Sequence, residues 1–227
     1  MANPPGALLR SPEPDENPAM HHAAAPALLF AAGLAAPAAL HAATLEVEVR
    51  GADGAGVADA VAYALPRGAP APLRKRDAQV EQIDKQFVPL LTVVQTGTPV
   101  QFPNRDQIRH HVYSFSPPKP FELKLYVGTP AAPVVFDKPG EVVLGCNIHD
   151  HMLAYVYVVD TPYFARTDAL GRARLEGLPA GEYDVKLWHY AQALPAPESR
   201  AVRLRADETA PAAWTIGLRP VPPRPAR

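Results

Sequence analysis

The feature that most constrains this chain is its short apolar runs, which alternate with polar residues and are closed by Pro, Gly, Asn or Asp. Leu45, Val47 and Val49 alternate with Glu46 and Glu48, the period-two pattern of a half-buried strand. A turn at Ala52-Asp53-Gly54 leads to a second such run, Val61, Tyr63 and Leu65. After a Pro/Gly-rich, charged loop from Arg67 to Ala78, further strands are predicted at Gln79–Ile83, Leu90–Val94, Thr98–Phe102 and His110–Phe115. They continue at Leu123–Val127, Val134–Phe136, Glu141–Cys146 and Leu153–Val159. Later strands are expected at Arg172–Leu175, around Tyr183–Leu187, at Ala201–Arg205 and at Trp214–Leu218. The 28 prolines fall mostly between these runs and at the chain ends, where a missing backbone donor does no harm. From residue 44 onward no long 3.6-residue period appears. The expected class is all-β, a sandwich or barrel built from many short strands.

Net charge is −1 with both signs mixed, and the one compact basic cluster is Arg74-Lys75-Arg76. That is too short for a nucleic-acid footprint and reads as a solvated loop. Ala23–Leu40 is rich in Ala and Leu and ends in small residues at Ala42 and Ala43, as a secretory signal does. The polar stretch from Met1 to Ala19 sits awkwardly before it, and Met20 offers an alternative start, although only His21 and His22 then stand in the n-region. The rival reading is an uncleaved anchor, since the run approaches the ~20 residues of a bilayer span. Export with cleavage near Ala43 is the expectation, which leaves no membrane span in the mature chain and places it in the periplasm.

Cys146 is the only cysteine, so no internal disulfide can form, and an unpaired thiol in an oxidising compartment calls for an explanation. Its neighbours supply one: Gly145-Cys146-Asn147-Ile148-His149-Asp150-His151-Met152 puts a thiol, two imidazoles and a thioether in one short stretch. Thiolate, imidazole and a weak thioether form the donor set of a mononuclear blue-copper site, which needs a second histidine from elsewhere. His110-His111 offers it, and because successive strand residues point to opposite faces only one of the pair can reach the ion. Within the loop, His149 is favoured over His151, because His151 adjoins Met152 and neighbouring side chains diverge. Zinc also accepts sulfur and nitrogen donors, but it leaves the methionine without a role. A structural Cys/His cluster is the bland alternative. His149-Asp150-His151 is an H-x-H pair, yet one such pair cannot build a trinuclear oxidase centre, and a binuclear copper site needs two cysteines.

The ordered elements Phe87-Val88-Pro89, Gly97-Thr98-Pro99-Val100-Gln101-Phe102, Asn104-Arg105-Asp106 leading to His110, Asp137-Lys138-Pro139-Gly140 and the Cys146 loop resemble a cupredoxin. The resemblance spans about 79–160 and is nearest to the cupredoxin-like bacterial proteins of the methylamine-utilisation type, where H-H-V-Y-S-F and C-N-I-H-D-x-M occur together. It implies a Greek-key β-sandwich and one type 1 copper held by His110, Cys146, His149 and Met152, with His111 behind the ligand and His151 facing solvent. It also implies a non-enzymatic electron carrier, with a periplasmic cytochrome or dehydrogenase as redox partner. Hydrogen bonds to the sulfur are expected from amides near Asn104 and His149. The apolar patch at the electron-transfer edge is expected from Ile148, Leu153, Pro117 and Pro118. Copper binding or delivery without electron transfer is the alternative.

A second resemblance lies outside this segment. Thr167-Asp168-Ala169-Leu170-Gly171, Leu178-Pro179-Ala180-Gly181 and the strand from Tyr183 are similar to the carboxypeptidase regulatory-like, transthyretin-like β-sandwich. Its usual opening appears at Leu45–Leu65. The implied organisation is an extension and signal over 1–43, first sandwich strands over 44–78, a cupredoxin domain over 79–160, the rest of the small sandwich over 161–218, and a disordered tail over 219–227. His189, beside Trp188, is expected to serve packing or surface.

Overall fold

The computed structural model describes residues 42–74, 76–193 and 199–221, and the expected signal segment therefore lies outside the described residues. The chain is all-β there. Among the described residues no helix is long and apolar enough to cross a membrane. The first strands are β1 (Ala42–Gly51), β2 (Val61–Pro66), β3 (Ala78–Gln79), β4 (Glu81–Ile83) and β5 (Gln86–Val88). Next come β6 (Leu91–Gln95), β7 (Thr98–Gln101), β8 (His110–Ser114), β9 (Phe121–Tyr126), β10 (Val134–Phe136) and β11 (Gly140–Gly145). The chain continues through β12 (Leu153–Val159), β13 (Phe164–Arg166), β14 (Arg172–Pro179), β15 (Gly181–Trp188), β16 (Ser199–Leu204) and β17 (Thr209–Ile216).

Strand pairing divides at β3 and β12. Residues 78–159 form three sheets among themselves, ordered β6-β12-β11-β8-β9, β10-β7-β3 and β4-β5. Strands on either side form the other two, β14-β1-β17 and β13-β2-β15-β16. Three apolar layers result. One lies between the two outer-segment sheets, with Leu45, Val47, Leu187 and Trp214 buried in it. One fills the middle segment with Phe87, Phe102, Phe136, Val142, Leu144 and Val156. The third joins the two sandwiches through Val61, Tyr63, Leu91, Tyr157 and Trp188.

This arrangement explains why β2 and β12 are apolar at nearly every position. A strand covered on both faces reads as a continuous apolar run. Ala154, Val156 and Val158 of β12 enter the middle-segment core, while Tyr155, Tyr157 and Val159 turn to the joint. The joint is aromatic: Trp188 stacks on Tyr157 with centroids 4.1 Å apart, and Tyr155 stacks on Tyr190 at 4.8 Å. The Tyr63 and Tyr157 hydroxyls meet at 3.1 Å.

Several boundaries differ from the expectation. Ala42 already pairs with Pro179 and Ala43 is fully buried, so the first strand begins two residues before 44. The predicted strand Gln79–Ile83 is broken at Val80, because β3 pairs with β7 while β4 turns back onto β5. Two three-residue strands, β5 and β13, carry too little periodicity to be read from sequence. At the far end the Arg219 amide donates to the Ala191 carbonyl at 2.7 Å, so the ordered chain passes the expected start of the tail. Residues 222–227 lie outside the described residues.

His189 closes β15 as a buried group. Its Nε2 faces the Ala58 carbonyl at 3.1 Å, and its Nδ1 accepts from the Ala191 amide at 3.0 Å. Burial pushes its pKa down, only partly offset by the bond to Ala58. The folded state thus binds the proton less tightly than the unfolded chain, whose imidazole titrates near pH ~6.5. His189 therefore contributes stability above that pH, and the contribution is lost as pH falls through and below it. Denaturant melts of wild type and His189→Gln at pH 7.5 and 5.5 are expected to show a smaller acid loss in the variant.

Candidate metal centre

The site is built at one end of the β11–β12 hairpin. Along β11 the residues Val142 and Leu144 point inward, and Cys146 continues that alternation into the core. Gly145 pairs with Leu153, so residues 146–152 form the connection. The Met152 amide donates to the His149 carbonyl at 2.9 Å, tightening the connection so that His149 folds back over the cysteine. Cys146 Sγ and His149 Nδ1 lie 4.0 Å apart. Met152 is buried in the same apolar cluster as Cys146.

His110 arrives from β8, which pairs with β11 through Tyr113 and Gly145. Tyr113 lies across Gly145, where a Cβ would stand 2.8 Å from its ring, so the glycine leaves room for the tyrosine on that face. The His110 ring is fully buried, and its centroid is 5.0 Å from that of His149. Ligand atoms of His110, Cys146 and His149 all lie within 4.8 Å of one another. These three are the one such group of histidine, cysteine or acidic residues among the described residues.

The neighbouring histidines separate cleanly. His111 turns to the opposite face, where its Nε2 meets Glu122 Oε1 at 2.8 Å and its ring lies against Tyr113. His151 is exposed with its ring 6.0 Å from that of His149, outside the converging group. His189 belongs to the other sandwich.

Sequence reasoning noted Asp106 in the motif but missed what it does. Asp106 Oδ2 meets His110 Nε2 at 2.7 Å. The same carboxylate accepts the amides of Asp84 at 2.8 Å and Lys85 at 2.9 Å. Burial raises the Asp106 pKa, but the bonds from Lys85, His110 and Asp84 outweigh it and hold the carboxyl below its usual range. His149 is lowered by partial burial first, then by the nearby charges of His110, Lys85 and His151. Tyr126 is pushed up to about 12, chiefly by burial. Its hydroxyl donates to the Phe102 carbonyl at 2.6 Å.

Two expectations about the surroundings need correction. The Asn104 amide donates to the Gly128 carbonyl, that of Arg105 to the Gln82 carbonyl, and that of Asp106 to Asn104 Oδ1. These amides close the loop and are committed away from the sulfur. Pro118 lies against Gly140, at the opposite end of β11 from Cys146 and about 20 Å away at ~3.3 Å per residue. The two prolines are therefore remote from the site. Ile148 and Leu153 are exposed as expected, and Ile108, two residues before His110, is exposed as well.

The donors fit copper. A buried polar atom without a partner requires an explanation, and His110 Nδ1 is buried and unpartnered while its other nitrogen is held by Asp106. Thiol, two imidazoles and a buried thioether in one apolar setting match the soft, mixed donor set of a blue-copper centre.

No protein family matches the sequence, and no curated protein does. Among solved structures the chain is similar to a copper-containing nitrite reductase from Thermus scotoductus SA-01, at 26% identity over 41% of this chain, with TM-score 0.35. The chain spans 25% of that reductase. It is also similar to a purple cupredoxin from Nitrosopumilus maritimus, at 22% identity over 37% of this chain and 100% of that one, with TM-score 0.33. A third is pseudoazurin from Methylobacterium extorquens AM1, at 26% identity over 38% of this chain and 77% of that one, with TM-score 0.32. Each of these three structures matches less than half of this chain.

Proposed function

We propose that this protein is a type 1 copper protein that passes single electrons between redox partners, with His110, Cys146, His149 and Met152 as ligands. The observation that carries the reading is the convergence of buried His110 and Cys146 with half-buried His149 from two separated stretches of chain. Copper held there supplies a one-electron couple. Four protein ligands leave no position for substrate, so the role is carriage and not bond chemistry. The surrounding residues exclude water from Cys146 on the core side, while His149 remains partly exposed. Ile148, Leu153 and Ile108 are exposed apolar side chains on which a partner could dock. A periplasmic cytochrome or dehydrogenase suits such a carrier, and the signal-like run Ala23–Leu40 supports export.

Titration of the metal-free protein with Cu(II), followed by visible absorption and paramagnetic resonance, tests the reading. One equivalent is expected to produce an intense visible band. His149→Ala should remove that band and His151→Ala should retain it. A colourless complex would sink the proposal. Facile loss of copper to a chelator, without electron exchange with a cytochrome, would point to delivery instead.

A further inference from the structure

We propose that Asp106 is a positioning residue, anchored by the Asp84–Lys85 turn, which fixes the tautomer of His110 so that Nδ1 presents its lone pair toward Cys146 and His149. The consequence for copper rests on the function proposed above; the tautomer itself does not.

An ionised carboxylate only accepts hydrogen bonds, and a neutral imidazole carries one proton. The 2.7 Å contact between Asp106 Oδ2 and His110 Nε2 therefore places that proton on Nε2. Nδ1 is left bare, and it is the nitrogen that has no partner. The bond made by one ring nitrogen thus sets what the other can do.

The carboxylate is itself held in place. Oδ1 accepts from the Asp84 amide and Oδ2 from the Lys85 amide, so three donors converge on two oxygens. Asp84 and Lys85 are the central residues of the tight turn between β4 and β5, with φ of 52° and 57°. Such a turn favours Asn-Gly, and left-handed φ costs about 1–2 kcal/mol for each residue that has a Cβ. Charge-assisted bonds to Asp106 offset that strain. The hairpin is fastened to the loop it serves: the Gln82 amide donates to the Pro103 carbonyl, and the Arg105 amide donates to the Gln82 carbonyl. Asparagine cannot replace Asp106 neutrally. Its single oxygen faces three donors, and its amide group must meet at least one N–H head-on.

Nitrogen-15 NMR of the imidazoles in the metal-free full chain at about pH 8, above the usual imidazole range, reads the tautomer directly. Wild type is expected to show His110 protonated at Nε2 alone. Asp106→Ala should give a mixture of tautomers and a Cu(II) affinity lower by about 10–100-fold. Asp106→Asn, lacking the negative charge, should raise the reduction potential of the copper-loaded protein. Lys85→Gly keeps the backbone donor and should leave the tautomer unchanged. A wild-type proton on Nδ1, or an unaltered tautomer in Asp106→Ala, overturns the proposal without needing any variant to bind metal. The expected tautomer in a protein that binds no copper would uphold the positioning role and defeat the proposed function alone.

Discussion

Replacing Cys146 with serine is expected to abolish the visible band of the copper-loaded protein completely. The intense colour requires charge transfer from a thiolate, and the chain contains no other cysteine to stand in. On the proposed ligand set, affinity for Cu(II) should fall by more than the 10–100-fold that follows loss of a residue supporting a ligand, because a ligand itself would be removed. Serine also places a hydroxyl in the apolar cluster that holds Val142, Leu144 and Met152, at a cost of about 1–3 kcal/mol. A thermal melt of the metal-free variant separates that loss from misfolding. Persistence of the band in a folded Cys146→Ser protein would show that the sulfur is not a ligand.

Trp188→Ala should be the most damaging substitution to the joint between the sandwiches. The indole is buried, stacks on Tyr157 with planes 10° apart, and meets Tyr155 edge-on at 6.4 Å. Truncating a buried tryptophan costs about 3–5 kcal/mol, which lowers Tm by roughly 6–20 °C for a chain of this size. Tyr155 and Tyr157 sit on the face of β12 opposite the core that holds Cys146 and Met152. The copper band should therefore survive below the new melting temperature. Calorimetry combined with the visible band checks both halves. A change below 1 kcal/mol would mean that the two sandwiches do not depend on this contact.

Most of the strands were legible because alternation is a local signal. Leu153–Val159 was placed to the residue. A period-two reading passed over the burial of both faces of β2 and β12, which their near-continuous apolar runs record. The short β5 and β13 lacked enough residues to show any period. Pro117 and Pro118 were expected near the metal loop because an apolar composition says nothing about which end of a strand it decorates.

The sequence by itself determined the chemistry available and its local reach: one thiol, with an imidazole three residues on and a thioether six residues on, delivered by a single short connection. Chain connectivity enforces that much. Tertiary structure carried His110 across to Cys146 and His149, and turned His111 away to Glu122. It also brought the Asp84–Lys85 amides onto Asp106, more than twenty residues away. No spacing rule encodes such a meeting, because it follows from how separate sheets pack and from which buried polar atoms must then find partners.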